Sequence, residues 1–378
     1  MFRINEKALL QAPPKPPAQN YEKFENFWIE LGNQEVSPME QYILTDSIKK
    51  NLNTLARIVI AKKYPILLQG PTSSGKTSMV EYLAKKTGHR FVRINNHEHT
   101  DLQEYLGTYI SDSQGKLVFQ EGILVEAVRK GYWIVLDELN LAPSEVLEAL
   151  NRLLDDNREL FIPETGEVIK ANAQFQLFAT QNPPGLYGGR KVLSRAFRNR
   201  FIEIHVDDIP ETELEVILEQ RSKIPRSFAQ KLVAIMKDLQ RNRQSTQVFA
   251  GKHGFITLRD LFRWAERKPG SYDELAITGY MLLAERLRKE EEKLIIKQAI
   301  EKNLKVTLDI NAVYNQCEKS PEYASLLQNI TPDFKIVWTN SMKRLFTLVG
   351  ECMKYDVSVS IRTETDSIGT DIARWRDW

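Results

Sequence analysis

The chain has 378 residues, and its 52 lysines and arginines nearly balance its 50 aspartates and glutamates, which leaves a formal net charge of +2. This balance gives no overall attraction to nucleic acid, so no direct sequence-specific nucleic-acid binding is expected. Two cysteines do not suffice for a disulfide framework and favour a reducing compartment. Since no apolar run approaches the ~18 residues that a membrane span needs, we expect no membrane partner.

The N-terminal segment is rich in proline. Residues 12–19 read Ala-Pro-Pro-Lys-Pro-Pro-Ala-Gln, a composition typical of an extended linker, and we assign residues 1–39 to such a linker. From residue 40 to residue 207, strand-like and helix-like patterns alternate. This alternation predicts an α/β core in which a parallel sheet is flanked by helices.

A phosphate-binding loop is predicted at residues 70–77. The run Gly-Pro-Thr-Ser-Ser-Gly-Lys-Thr fits G-x-x-x-x-G-K-[ST] and lies between an apolar strand-like run and a helix-like run. In such a loop the backbone N–H groups point at phosphate oxygens, Lys76 reaches the β- and γ-phosphates, and Thr77 ligates Mg²⁺. The predicted ATP-binding residues are Gly70, Pro71, Thr72, Ser73, Ser74, Gly75, Lys76, Thr77 and Ser78. The alternative is a glycine- and serine-rich turn that holds no ligand.

Two carboxylates follow the next strongly apolar run. Residues 132–136, Tyr-Trp-Ile-Val-Leu, have the continuous apolar character of a parallel strand buried on both faces, and Asp137 and Glu138 come directly after them. Ligands collect at the carboxyl ends of such strands. We therefore predict that Asp137 holds Mg²⁺ through water and that Glu138 activates the attacking water. The alternative, an acidic helix cap after a strand, does not account for the phosphate loop upstream.

Two later strand-like runs add polar candidates. Residues 175–180 close on Gln181 and Asn182, and the amide of Asn182 could orient a nucleophilic water beside Glu138. Residues 201–206 follow arginines at 195, 198 and 200. An arginine here could stabilise charge on a γ-phosphate of a neighbouring site, although a solvated basic helix end fits the spacing equally well.

The pattern becomes helical after Pro210, with candidate helices over 211–221, 226–241, 257–267 and 271–302. We predict a helical lid over residues 208–335. Its boundary falls at Asp208-Ile-Pro210 because a residue before proline avoids the α conformation. Arg259 lies in the first turn of the third candidate helix, after the expected cap Thr257, where a structural salt bridge is the usual role.

Together these motifs resemble the AAA+ ATPases of the MoxR/dynein-like branch, over about residues 40–350. The resemblance implies Walker A at 70–77, Walker B at Asp137-Glu138, sensor 1 at Asn182, an arginine finger acting in trans at Arg200, and sensor 2 at Arg259. Residues 95–107 and 119–127 are similar to the helix-2 insert of this branch. Residues 160–170 are similar to its β-hairpin before sensor 1.

Within that branch, residues 139–143 and 182–189 are most similar to very large eukaryotic members that carry several modules in one chain. The resemblance implies an ATP hydrolase with ATP and Mg²⁺ as ligands. It also implies a role in maturation and nuclear export of the large (60S) ribosomal subunit, in the nucleolus and nucleoplasm. Neighbouring AAA+ modules and pre-60S particles with their assembly factors are the implied partners. A nucleotide-binding structural module without turnover and a MoxR-like homo-hexameric chaperone ATPase stay open as alternatives.

A repeat connects the two ends of the sequence. Residues 45–55, Thr-Asp-Ser-Ile-Lys-Lys-Asn-Leu-Asn-Thr-Leu, recur at 339–348 as Thr-Asn-Ser-Met-Lys-Arg-Leu-Phe-Thr-Leu, with one residue dropped. The first copy leads to the phosphate loop, whereas residues 356–366 contain no glycine loop. We therefore predict that residues 336–378 are the truncated start of a second AAA+ module with a divergent tail. On this hypothesis the chain is a single-module fragment or a truncated form.

Overall fold

The structure is a computed structural model that describes residues 20–37, 41–183, 191–245, 256–316 and 339–355, with the single positions 16 and 39. Three predicted segments lie outside the described residues. They are most of the proline-rich segment, residues 184–189 of the similarity at 182–189, and the predicted divergent tail. The chain divides into two compact units, one of residues 1–221 with 250–257 and one of residues 222–249 with 258–378.

The first unit contains all the strands that the described residues form. In chain order they are β1 (Tyr21–Phe24), β2 (Phe27–Glu30), β3 (Ile66–Gln69), β4 (Phe91–Asn95), β5 (Gly107–Ser111), β6 (Leu117–Glu121), β7 (Trp133–Asp137), β8 (Glu159–Ile162), β9 (Glu167–Lys170), β10 (Gln176–Gln181) and β11 (Ile202–His205). Its helices are α1 (Asp46–Val59), α2 (Lys76–Lys86), α3 (Leu102–Leu106), α4 (Ile123–Lys130), α5 (Ser144–Leu154), α6 (Arg195–Arg198) and α7 (Glu211–Ser222), with a 3₁₀ turn at Leu139–Leu141.

The core of this unit is a five-stranded parallel sheet in the order β11-β3-β10-β7-β4. Every residue of the inner strands β7 and β10 is buried, whereas the outer strands β4 and β11 expose part of their residues. The apolar runs of the inner strands are continuous because helices cover both faces of a parallel sheet. This arrangement confirms the predicted α/β core.

The register of the sheet brings its polar strand ends to one edge. Gln181 at the end of β10 lies opposite Gln69 of β3, and Asn95 at the end of β4 lies opposite Asp137 of β7. Because all these strands are parallel, the loops that follow them leave from the same edge. The predicted phosphate loop and the predicted carboxylates are therefore neighbours.

Antiparallel hairpins extend from this core. β5 pairs with β6 between α3 and α4, where the sequence predicted an insert, and β8 pairs with β9, which confirms the hairpin predicted at 160–170. Arg129 of α4 connects the two hairpins, since its guanidinium contacts Glu121 at 2.9 Å and Glu167 at 3.1 Å.

The prediction that residues 1–39 form a linker is wrong for part of that range. β1 and β2 pair as a hairpin, and Phe24 and Ile29 are buried against the core. The Phe24 ring meets the edge of Tyr82 of α2, with centroids 6.3 Å apart. Two strands of four residues give too short an alternation to be recognised beside the prolines, and their stability comes from this packing.

The second unit is helical within its described residues. Its helices are α8 (Arg226–Ser245), α9 (Leu258–Glu266), α10 (Tyr272–Leu283), α11 (Glu290–Leu304), α12 (Ile310–Gln316) and α13 (Asn340–Lys354). The stretch predicted over 271–302 is two helices, not one. The chain breaks between them because Leu287 is buried and Arg286 bonds Asp260, and because glutamates at 290–292 favour a new helix N-terminus.

Both copies of the repeat form a helix, but their N-termini are held differently. In α13 the Thr339 hydroxyl accepts a hydrogen bond from the Met342 N–H at 3.3 Å. In α1 the N–H of Ser47 donates instead to the Glu213 carboxylate of α7 at 3.1 Å, which attaches α7 to the core. The compact units accordingly divide after α7, whereas the sequence placed the boundary before it, at 208.

Helix α13 packs within the second unit. Arg344 Nε donates to Glu285 Oε2 at 2.6 Å, and Lys343 donates to Asn315 of α12 at 3.3 Å. The assignment of this helix to the start of a second module stays a prediction. Among the described residues, no helix combines the length and the apolar character of a bilayer span.

A buried histidine lies near the start of β7. The His89 ring stacks on Trp133 with centroids 4.3 Å apart, and Nδ1 lies 2.8 Å from the Thr87 hydroxyl. Burial, with a contribution from the Lys62 charge, lowers the pKa of His89 from its ordinary 6.5 to about 4. The folded chain therefore keeps this imidazole neutral where the unfolded chain protonates it.

We expect the free energy of unfolding to fall as the pH is lowered from 6.5 to about 4, the interval between the two His89 pKa values. The slope from this group is at most about 1.4 kcal/mol per pH unit, because only the unfolded chain takes up the proton. Urea unfolding at stepped pH should show a shallower slope for His89→Gln. The matched variant His205→Gln removes an exposed histidine and is the control for the loss of an imidazole as such. Equal slopes in wild type and His89→Gln would contradict this origin.

Candidate functional site

The loop from Gly70 to Gly75 has the backbone shape of a phosphate cradle. Gly75 has φ +85° and precedes α2 directly, and Ser73 also has positive φ, at +66°. A Cβ at Gly70 would lie 2.1 Å from the Val206 carbonyl oxygen, so only glycine fits there. Successive N–H groups in such a turn, at a helix N-terminus, form a concave anion site.

Lys76 is the first residue of α2 and is only 7% exposed. Its ammonium donates to the Gly70 carbonyl at 2.9 Å, to the Pro71 carbonyl at 2.7 Å and to Asn182 Oδ1 at 3.0 Å. A buried ammonium needs such partners because burial of an unpaired charge is very costly. The lysine is thus held over the mouth of the loop.

The remaining predicted loop residues differ in position, and among them Ser74 has its hydroxyl 3.5 Å from this ammonium. The Ser74 hydroxyl donates to the Pro71 carbonyl at 2.9 Å, Thr72 lies in the turn, and Ser78 is exposed on the first turn of α2. The predicted ATP-binding residues 70–78 therefore include residues of the loop and one residue, Ser78, on the exposed surface of α2.

Asp137 is buried at the end of β7, and its carboxylate binds side chains from three other elements. The Thr77 hydroxyl of α2 lies 3.1 Å from both carboxylate oxygens. The Thr180 hydroxyl of β10 donates to Oδ1, and the Arg93 guanidinium of β4 pairs with Oδ2. A carboxylate and a hydroxyl oxygen are the donor set that Mg²⁺ prefers. Thr77 and Asp137, the predicted metal residues, are therefore neighbours.

Glu138 and Asn182 meet as the sequence predicted. The Asn182 amide donates to Glu138 Oε1 at 3.2 Å, while its carbonyl oxygen accepts from Lys76. Glu138 has φ +53°, a left-handed backbone that is strained for glutamate. Its N–H donates to the Thr180 hydroxyl at 3.0 Å, which holds the residue in this conformation. Strain of this kind is concentrated at functional sites.

Three side chains that sequence reasoning missed support these residues. Thr180 joins Asp137 to the Glu138 backbone, Arg93 pairs with Asp137, and the Asn140 amide donates to the Asn182 carbonyl at 3.1 Å. Each contacts a residue that is more than 40 residues away in sequence. The available signal for Thr180 was its position at the end of the strand-like run 175–180, directly before Gln181 and Asn182.

The two predicted arginines are less central. Arg200 lies in the first unit, where its guanidinium contacts Asp155 at 3.1 Å and also Asn151, both near the end of α5. Arg259 lies exposed in the first turn of α9, in the second unit, and has no ion-pair partner among the described residues. The salt bridge usual for that position is therefore not seen there. The trans role of Arg200 and the sensor role of Arg259 stay predictions.

The residues present fit a nucleotide with a divalent cation. Oxygen donors at Thr77 and Asp137 suit Mg²⁺, the cradle between Gly70 and Gly75 suits phosphate oxygens, and Lys76 supplies a buried positive charge. When bound, Mg²⁺ supplies charge neutralisation at the phosphates. All of these residues belong to the first unit.

Comparison with known proteins agrees with this site. Residues 65–201 match the family model of the AAA domain (dynein-related subfamily), and residues 213–307 match that of the Midasin AAA lid domain. The chain is 68% identical over 367 residues to Midasin of Dictyostelium discoideum, covering 94% of this chain and 6% of that protein. It is 44% identical over 335 residues to Midasin of Giardia intestinalis, covering 82% and 7%.

For a bacterial relative, the alignment covers most of the relative's own length. An uncharacterized protein of Staphylococcus haemolyticus is 33% identical over 243 residues, covering 63% of this chain and 90% of that protein. The chain thus spans only a small part of the two Midasin sequences but nearly the whole of this relative. The predicted fold class, an AAA+ core with a helical lid, is confirmed.

We expect Thr180→Val to lower the free energy of unfolding by about 1–3 kcal/mol, because the Glu138 N–H and the Asp137 carboxylate both lose a buried partner. Thr180→Ser retains the hydroxyl and should recover most of the loss. Chemical denaturation in EDTA, without nucleotide, measures both. Equal stability of the valine and serine variants would show that the hydroxyl is not needed.

Proposed function

Since the chain belongs to the midasin family of AAA+ ATPases, we propose that it is a module that binds Mg-ATP and hydrolyses ATP to ADP and phosphate. The observation that carries this proposal is the hydrogen-bonded series from Lys76 through the Asn182 amide to Glu138. It connects a buried cation at the phosphate cradle to a carboxylate that can act as a base. Asp137 and Thr77 lie beside it with oxygens suited to the metal.

Each residue of the site has a distinct part in this reaction. Lys76 places a positive charge where negative charge develops on the β- and γ-phosphates. Glu138 accepts a proton from the attacking water, and Asn182 orients both that water and the carboxylate. Since Asn182 bonds Lys76 and Glu138 at once, a movement of the Lys76 ammonium on phosphate binding can change the orientation of the Glu138 carboxylate.

Arg200 is assigned to a neighbour's site. It precedes β11 and is bonded to Asn151 and Asp155 of its own chain, so it would have to leave these partners to reach a phosphate elsewhere. Arginine is suited to this task because its charge is permanent and its donors are planar. Arg259 is proposed as the sensor contributed by the lid. An isolated module should therefore turn over slowly.

The cellular role that we propose is remodelling of large-subunit ribosome precursors. Support comes from the similarity to the two Midasin proteins and from the lid model, which bears the same name. The proposed work is release of assembly factors from pre-60S particles before nuclear export, in the nucleolus and nucleoplasm. Neighbouring AAA+ modules of a longer chain are the proposed partners in the ring.

A second candidate is a MoxR-like chaperone that assembles from separate identical copies. The Staphylococcus haemolyticus relative supports it, because this chain covers 90% of that protein and so a single module accounts for most of its length. Size measured by light scattering with Mg-ATP separates the two candidates. A ring of six copies would favour the chaperone.

In a direct test, Lys76→Ala should abolish Mg²⁺-dependent ATP binding, because the buried charge at the cradle is lost. Glu138→Gln should bind ATP like wild type but lose turnover by about 100-fold or more, the usual size of a general-base contribution. A fluorescent ATP analogue measures binding, and phosphate release measures turnover. Glu145→Gln is a matched control, since Glu145 is an exposed glutamate in the first turn of α5.

Binding without turnover in the wild type would leave two explanations. Either the arginine of a neighbouring module is missing, or the site binds nucleotide without hydrolysing it. Adding excess Glu138→Gln protein, which keeps Arg200, distinguishes these explanations. Restored turnover indicates a missing arginine, whereas continued absence of turnover indicates a structural nucleotide site.

For the cellular role, Glu138→Gln placed in the full-length protein should cause pre-60S intermediates to accumulate, because ATP would be trapped before the base can act. Sucrose-gradient profiles of nuclear extracts measure the accumulation. Full-length protein with Glu145→Gln provides the control. An unchanged profile with Glu138→Gln would reject a role for this site in ribosome assembly.

A further inference from the structure

A cation of the protein itself contacts the predicted metal carboxylate. Arg93 lies on β4, two residues before Asn95, whose Cα partner in the sheet is Asp137. Alternation along the strand puts Arg93 and Asn95 on one face and the buried Ile94 on the other. The guanidinium reaches along this face to Asp137 Oδ2 and lies 3.5 Å from Asn95 Oδ1.

Two other side chains also hold this carboxylate. The hydroxyl of Thr77 bonds it from α2, and that of Thr180 bonds it from β10, the strand on the other side of β7 from β4. The Arg93 side chain is 45% exposed, whereas that of Asp137 is only 9% exposed. The arginine can therefore move into solvent without disturbing the buried carboxylate.

We propose that Arg93 competes with Mg²⁺ for Asp137 and so raises the Mg²⁺ concentration at which this site binds nucleotide. The inference rests on the proposed function, since it assumes that Asp137 serves a nucleotide-bound cation. A guanidinium and a dication repel each other, so the pairing of Arg93 with Asp137 Oδ2 weakens the attraction of this carboxylate for a cation. When Mg²⁺ binds, Arg93 would lose this partner and move toward solvent.

The test measures binding, not hydrolysis. A fluorescent ATP analogue is held at fixed concentration and Mg²⁺ is titrated, and the half-saturating Mg²⁺ concentration is read. For Arg93→Gln this value should fall about threefold, the size expected for loss of a half-exposed ion pair. Affinity for the analogue in EDTA should stay as in wild type.

The matched control is Arg90→Gln. Arg90 is exposed three residues earlier and contacts the Tyr132 ring, not Asp137, so its loss changes the net charge equally without touching the carboxylate. Its half-saturating Mg²⁺ concentration should match wild type. Arg93→Met, which retains an apolar stem, should reproduce the fall even if glutamine perturbs the fold.

An unchanged or higher value for both Arg93 variants would overturn the proposal, and so would an equal fall in Arg90→Gln. The proposed function fails in a different way. If wild type shows no Mg²⁺-dependent binding that Lys76→Ala abolishes, the nucleotide site itself is refuted.

Discussion

The carboxylate of Asp137 is the point on which the site depends. It lies buried at the end of an inner strand, and side chains from α2, β4 and β10 converge on it. A buried carboxylate must be bonded on all sides because its desolvation is costly. Through Thr77 and Thr180 it therefore fixes the phosphate helix and β10 relative to β7, while the half-exposed Arg93 pairs with it from β4.

The parallel sheet makes this convergence possible. Its register sets Asn95 opposite Asp137 and Ala179 opposite Leu136, so Thr180 comes level with the carboxylate. A shift of one residue in any of these strands would turn the relevant side chain to the other face. The strained backbone of Glu138 belongs to the same arrangement, since the hydroxyl of Thr180 holds its N–H.

How much could be predicted from the sequence follows from how local each feature is. The phosphate loop, the two carboxylates and Asn182 are short linear signals at strand ends, and the structure brings all of them together. Thr180 and Arg93 act through strand register and Asn140 through the 3₁₀ turn after β7, none of which a linear pattern reveals. The break near Leu287 and the β1–β2 hairpin depend on tertiary packing that overrides local composition. The roles given to Arg200 and Arg259 depend on neighbours, so they stay predictions.

The N-terminus of α1 bears on where the α/β core can be cut. Its Ser47 N–H is held by a carboxylate 166 residues further along the chain, on a helix that the sequence had placed in the lid. A core ended at residue 207 would keep every strand that the described residues form and every residue of the phosphate cradle. It would nevertheless lose Glu213, and with it the anchor of the helix that leads into β3. The excision boundary for this core therefore lies after Ser222, at the end of α7, and not at the proline that the sequence marks.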